Sequence, residues 1–557
     1  NLDTNTGSTI TFSGGLSVST LANVGFNAIG GGTVNVCDEN PCTTGGAVVN
    51  TLNSTSASAL NVTGTTIGAE GLTFRSISAG NATAAADPAA GILLNSTGSG
   101  GLTVTGIGTT AGSGGTIQNI TNRGASFTSA QNITLKNMNF TLVGTVNGAD
   151  PTVSSGSCGA MDTGGGGNLG CAAGIHLATV TGVTLDRLVM NNDSDPTAGV
   201  TSSGQQGING NNVTTFALTN SQVLNFGNEA GEDGLHFRDI KGTSAITATT
   251  VSGSERDQVR VLNGSGTTVT LTVSGGSTFS TSAIPNGGMG IEFEGEGSAA
   301  MTIDVQTGTT FSGLRSIGLQ ALGKANVQMD VKVNASTFLN TGSAGIDIAT
   351  KDSGDTRFNV TGNGMTNQAA TAINIDIGGS PTGTQNATLQ GNVSGNTIST
   401  TSGSGAIGIS LDANGGQVGQ GGVLTATVTG NDVTINGGAN GIVAIVGDGS
   451  PTLNATIKNN TMHSASGGDM FLESSKISTD TSTACMEVSG NNVPNNTSDD
   501  VQLSQRFSST FKMRGFPGGD IGVYFASQNT LNGGTVLFEG TFVNTAGGAA
   551  CPQPTLP

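Results

Sequence analysis

Residues 345–377 read Gly-Ile-Asp-Ile (345–348), a polar loop, Arg-Phe-Asn-Val-Thr-Gly-Asn-Gly-Met (357–365), a second loop, and Ala-Ile-Asn-Ile-Asp-Ile (372–377). Ile346 and Ile348 alternate with Asp347, and Phe358 and Val360 alternate around Asn359. Period-two alternation puts one face of a strand in a core and the other in solvent. The first motif returns after roughly 27 residues as Ile373-Asn374-Ile375. A short strand recurring at a fixed interval marks a repeat architecture.

Working outward, the motif recurs at 175–177, 208–209, 235–237, 259–261, 291–293, 317–319, 409–411, 442–444 and 470–472. A second alternating run follows each copy, as at Val269–Val273, Met301–Val305, Val327–Val331 and Leu424–Val428. A third, shorter step carries Asn before an apolar residue, as at Asn396, Asn431, Asn460 and Asn491. Asn and Gly tolerate the left-handed backbone of a sharp corner, and stacked Asn side chains bond to one another as a ladder. Two or three short strands per repeat with such corners predict an all-β fold: a single right-handed parallel β-helix (solenoid) of about 17 coils.

The sequence predicts less regular coils over 1–141 and a protruding Gly-rich loop over 142–173. The regular β-helix follows over 174–505, and a strand-rich, aromatic C-terminal cap or docking segment over 506–557. In the first part, Thr9–Phe12, Thr33–Val36, Ala59–Val62, Ile92–Leu94 and the run near Phe127 read as coil starts, and Asn132–Leu135 as a second strand. No stretch reads as an amphipathic helix.

Of 557 residues, 92 are Gly and 10% are charged, and the formal net charge is -18. Such acidity argues against nucleic-acid binding through phosphate neutralisation, and no apolar run is long enough to span a bilayer. Residue 1 is Asn, consistent with a processed or trimmed chain. The six Cys group as Cys37/Cys42, Cys158/Cys171 and Cys485/Cys551, without zinc-type spacing. They predict three disulfides and an oxidising compartment.

Gly-Leu-Thr-Phe-Arg-Ser-Ile-Ser-Ala-Gly (71–80), Gly-Leu-Thr-Val-Thr-Gly (101–106), Gly-Gly-Thr-Ile-Gln-Asn (114–119) and the closing Ala-Cys-Pro-Gln-Pro (550–554) resemble large secreted bacterial proteins of right-handed parallel β-helix repeats. The resemblance covers essentially the whole chain. It implies a surface adhesin or an extracellular matrix or filament component. Pectate-lyase-like enzymes and phage tailspikes use the same coil, so fold alone does not decide function.

The middle residues of the coil starts form one outward row: His176, Asn209, His236, Arg260, Glu292, Gly318, Asp347, Asn374, Ser410, Val443 and Phe471, with Arg238 and Glu294 one outward position further on. His236, Arg260 and Glu292 on neighbouring coils suit an acid/base site; the reading preferred here is a solvated face with paired charges. The chain has no Trp and one Tyr to grip sugars. It lacks the polygalacturonase and pectate-lyase signatures, and it carries no phosphate loop or His-Glu-x-x-His motif. Asp499-Asp500 stands alone, and Lys351–Asp355 has too few oxygen ligands for a calcium loop. Asn-x-Ser/Thr sequons such as Asn53, Asn132 and Asn454 follow from composition.

The expectation is therefore a secreted, non-catalytic structural protein without cofactor or metal, associating head to tail as a filament or standing as a cell-surface adhesin in glycan contact. The alternative is a polysaccharide-degrading or tailspike-like β-helix. Ile10 and Phe12 at one end, and Val523, Tyr524, Phe525, Phe538 and Phe542 at the other, are the predicted assembly strands.

Overall fold

The structure, a computed structural model, describes residues 1–38, 49–82, 88–145, 172–193, 205–227, 231–280, 288–378, 385–400, 406–416, 420–437, 440–464, 468–493 and 500–557. The chain is an all-β parallel β-solenoid of about 14 turns. It divides into two compact units, residues 1–262 with 269–288, and residues 263–268 with 289–557.

In the first unit each coil presents three faces. First-face strands Phe26–Ile29, Leu60–Thr63, Ala90–Asn95 and Arg123–Thr128 stack in parallel. Second-face strands Thr9–Phe12, Thr33–Val36, Thr66–Phe74 and Leu102–Val104 do likewise. Ser17–Thr20, Thr51–Ser54 and Ser76–Ala79 begin the third face. Thr9–Phe12 and Thr33–Val36 are thus second strands, not the coil starts expected of them. Both kinds of strand alternate identically, so alternation does not say which face a strand lies on. Ala173–Asp186 and Gln206–Thr219 run through two faces as strands of 14 residues each.

Identical positions stack into core columns. Ala28, Val62, Leu94, Phe127 and Leu177 lie in register, and Gly210 and Phe237 continue the column. Gly210 is there because a Cβ would meet the Phe237 ring at 2.4 Å.

The second unit repeats the plan, with columns such as Ile346–Ile373–Ile409–Ile442–Met470 and stacked Phe311 and Phe338 rings 4.6 Å apart. Burying such columns across coils supplies the core that no single coil has. The Asn corners hold as expected. Asn363, Asn396, Asn431, Asn460, Asn491 and Asn529 form a buried ladder, each Nδ2 donating to the next Oδ1 at 2.9–3.0 Å. Coils beginning at Gly468, Val501 and Val536 carry no third-face strand among the described residues, so counting coil starts overcounts turns.

Two predictions for the C-terminal part are overturned. Ile521–Phe525, expected as strand, lies in an α-helix, Ile521–Gln528. Asp520 caps it, accepting from the Val523 N–H at 3.0 Å, and Ile521 and Phe525, one helical turn apart, are buried. Val536–Phe542, expected as one strand, is two, Val536–Glu539 and Phe542–Val543, interrupted by Gly540 at φ 92°. The expected loop at 142–173 falls mostly outside the described residues; the strand Asn139–Val143 runs two residues into it and its last residue, Ala173, opens another strand.

Candidate functional site

In the first unit the outward row is confirmed in register. Ser126, His176, Asn209, His236 and Arg260 are successive partners. It is not solvated: His176 and His236 are each 1% exposed and Asn209 is fully buried. Asp233, just before the strand, organises the row. It accepts from Arg256 Nε at 2.9 Å and Nη2 at 2.6 Å and from the Asp257 N–H at 3.0 Å. Its Oδ2 lies 2.6 Å from His236 Nδ1. Arg260 Nη1 in turn donates to Asp257 at 3.3 Å. Burial pushes the Asp233 carboxyl up, but the Arg256 guanidinium and the His236 bond outweigh it and hold it well below the usual carboxylate range. Burial, then Arg123, holds the His176 imidazole well below its ordinary value, so it is neutral near pH 7. A carboxylate aligning an imidazole is part of a proton relay, yet this imidazole is packed away from solvent. A groove of about 580 Å³ opens further along the same face, beside Leu93, Asn95, Arg123, Ser126 and Thr128.

In the second unit Gln320, not Gly318, continues the row from Glu292, and pairs with Asp347. A slip of two residues preserves alternation, which is why the sequence pattern admitted Gly318. Glu292 and Glu294 are buried. Gln320 Nε2 and Asn374 Nδ2 donate to the two oxygens of Asp347 at 2.8 and 2.9 Å. One position on, Asp376 and Asp412 are direct partners. Lys476 Nζ bridges both Asp412 oxygens at 2.9 Å. Burial, then Asp412 and Asp347, pushes the Asp376 carboxyl up to about 7 against the pull of Lys476 and Lys351. Among the described residues no three His, Cys, Asp or Glu side chains are grouped to hold a metal ion.

The predicted assembly residues separate by environment. Ile10 and Phe12 are half-buried, with Phe12 5.8 Å from the Phe26 ring. Phe525 and Phe542 are buried, and Tyr524 donates its hydroxyl to the Arg514 carbonyl at 2.6 Å. Val523 is 69% exposed on the helix. Phe538 stacks in the core column of Leu472 and Leu503 but is 47% exposed, because its strand pairs on one side alone. Leu537, inside the expected strand, and Val543, just past it and missed by the sequence reading, are exposed beside it. Cys485–Cys551 is a disulfide, as expected. Cys37 is disulfide-bonded to a residue outside the described ones; Cys42, Cys158 and Cys171 lie outside them as well. Among the described residues no helix is long and apolar enough to cross a membrane, which says nothing of a β-barrel.

Coils, columns and ladders together define the class: a parallel β-solenoid. No family model, curated protein or solved structure matches the chain.

Proposed function

We propose that the protein is an extracellular structural subunit, a filament component or surface adhesin, that associates head to tail through its terminal coils. The observation that carries this is the edge formed by Val536–Glu539 and Phe542–Val543. Each strand pairs with an earlier coil on one side, the core position Phe538 is left open, and the chain then turns back, so residues 551–557 do not cover the edge. An open edge with unpaired N–H and C=O groups is a template for another strand. The occupant is the first coil of a second copy, where Leu2, Ile10, Phe12 and Val18 are half-buried core positions. Joining unlike ends propagates without closing. The disulfides support an oxidising, extracellular compartment.

Sedimentation velocity and electron microscopy test this. Concentration-dependent linear species are expected from the intact protein and none from Phe538→Lys, with circular dichroism unchanged. An intact protein that stays monomeric at high concentration overturns the reading.

The groove beside Arg123 and Ser126 favours a second reading, glycan contact on the first face. Oligosaccharide binding that Arg123→Gln abolishes would support it. Cleavage of the bound glycan would shift the assignment to a polysaccharide-degrading enzyme.

A further inference from the structure

Residues 551–557 lie across the second face of the second unit. Cys551, 1% exposed, is bonded to Cys485, 66 residues earlier. Gln553 Nε2 donates to Thr456 Oγ1 at 2.9 Å, and the Thr555 N–H donates to Gln390 Oε1 at 2.9 Å. The tail therefore runs back over successively earlier coils. Its sequence, Cys-Pro-Gln-Pro-Thr-Leu-Pro, favours an extended conformation and has few N–H groups to add to a sheet.

This strap holds the final coil. Cys485, Lys512 and Val543 are successive partners in one column, so the disulfide fastens the chain leaving Val543 to the coil two below it. Little else does. Phe542–Val543 pairs at two positions, supported by the Phe511 ring 5.0 Å from Phe542 and by the Gly515 N–H donating to Asn544 Oδ1 at 2.8 Å. A strand this short on a one-sided edge belongs to the least stable part of a fold. Opening the cross-link returns the chain entropy of a long loop to the disordered state.

We propose that the Cys485–Cys551 disulfide gates the assembly edge: closed, it keeps the last coil ordered; opened by a dithiol, it lets that coil fray and stops head-to-tail joining. In that step the S–S bond breaks and the dithiol supplies two electrons and two protons. Its own sulfurs close into a disulfide, and Cys485 and Cys551 become thiols. The gating of assembly rests on the head-to-tail reading; the clamp on the last coil does not.

Hydrogen–deuterium exchange on protein diluted below association tests the clamp. In Cys551→Ser, amides of 536–543 are expected to exchange at least about tenfold faster, about 1.4 kcal/mol of local stability. Strands 388–394 and 452–458 stay protected, and sedimentation shows association lost in parallel. Unchanged protection at 536–543 overturns the proposal, whatever the association behaviour. Lost protection in a protein whose oxidised form never associates leaves the clamp standing and removes the head-to-tail reading instead. Should Cys551→Ser fail to fold, seen as fast exchange throughout 388–489, the folded wild type is treated with dithiol and its new thiols alkylated. Protection persisting at 536–543 then overturns the proposal equally.

Discussion

Asn431 shows what one corner side chain does. Its Oδ1 accepts from both the N–H and the Nδ2 of Asn396, and its Nδ2 donates to the Val393 carbonyl. Asn431→Ala leaves those buried groups without a partner, so a loss of about 2 kcal/mol is expected in urea unfolding, with midpoint and slope both read. Unchanged stability would show that water replaces the ladder. His236→Ser should cost about 1–3 kcal/mol, because a buried, bonded imidazole leaves and Asp233 keeps its charge. A solvated face would give less than about 1 kcal/mol. Asp376 carries a pH signature. Its folded value, about 7, lies above the ordinary 3.8, so the native state holds a proton the unfolded chain releases. That stabilisation is complete below about pH 3.8 and lost as pH rises through about 7. Asp376→Asn is expected to remove a fall of roughly 2–4 kcal/mol between pH 4 and 8, measured as the difference between variant and wild-type denaturation curves. Parallel curves would contradict it.

At the scale of elements, the helix Ile521–Gln528 is the clearest departure from the sequence reading. Ile-Gly-Val-Tyr-Phe alternates well enough for a strand. Two local signals favour helix: Asp520 after Pro517-Gly518-Gly519, and the buried pair Ile521 and Phe525 at a spacing of four. Asp520→Ala should therefore cost about 1 kcal/mol, seen as faster amide exchange over 523–528 with the flanking strands unchanged. Three of the four expected third-step strands, by contrast, appear where the Asn corners placed them, at Thr397–Thr400, Asp432–Ile435 and Thr461–Ser464, while after Asn491 only an isolated bridge at Asn492 forms. There the corner residue and the first apolar residue after it specify the turn without help from distant chain.

At the scale of the molecule, the acidic balance of -18 spreads like charge over every copy, and apolar edges must overcome it to join. Association through Phe538 should therefore strengthen with added salt, as screening removes repulsion and leaves apolar contact. Sedimentation at low and moderate ionic strength checks this. Association that weakens with salt would point to charge-paired contacts in place of the open coil.

Alternation of apolar residues, Asn and Gly at corners, and repetition every two to three dozen residues were sufficient to specify a parallel β-solenoid, because each is a local property of the strand that carries it. The pairing of Cys485 with Cys551 was legible too, from grouping in sequence. Register was not: Gly318 and Gln320 satisfy the same alternation, and the paths of connecting loops decide which one stacks on Glu292. Nor was the burial of His176, Asn209 and His236. An outward side chain is solvated only if nothing packs over it, and what packs over it comes from elsewhere in the chain. The tertiary structure alone decided the Asp233–Arg256 clamp, the tail lying across the second face, and Phe538 left open at the final coil. Each depends on which coil stands next, which no stretch of sequence carries by itself.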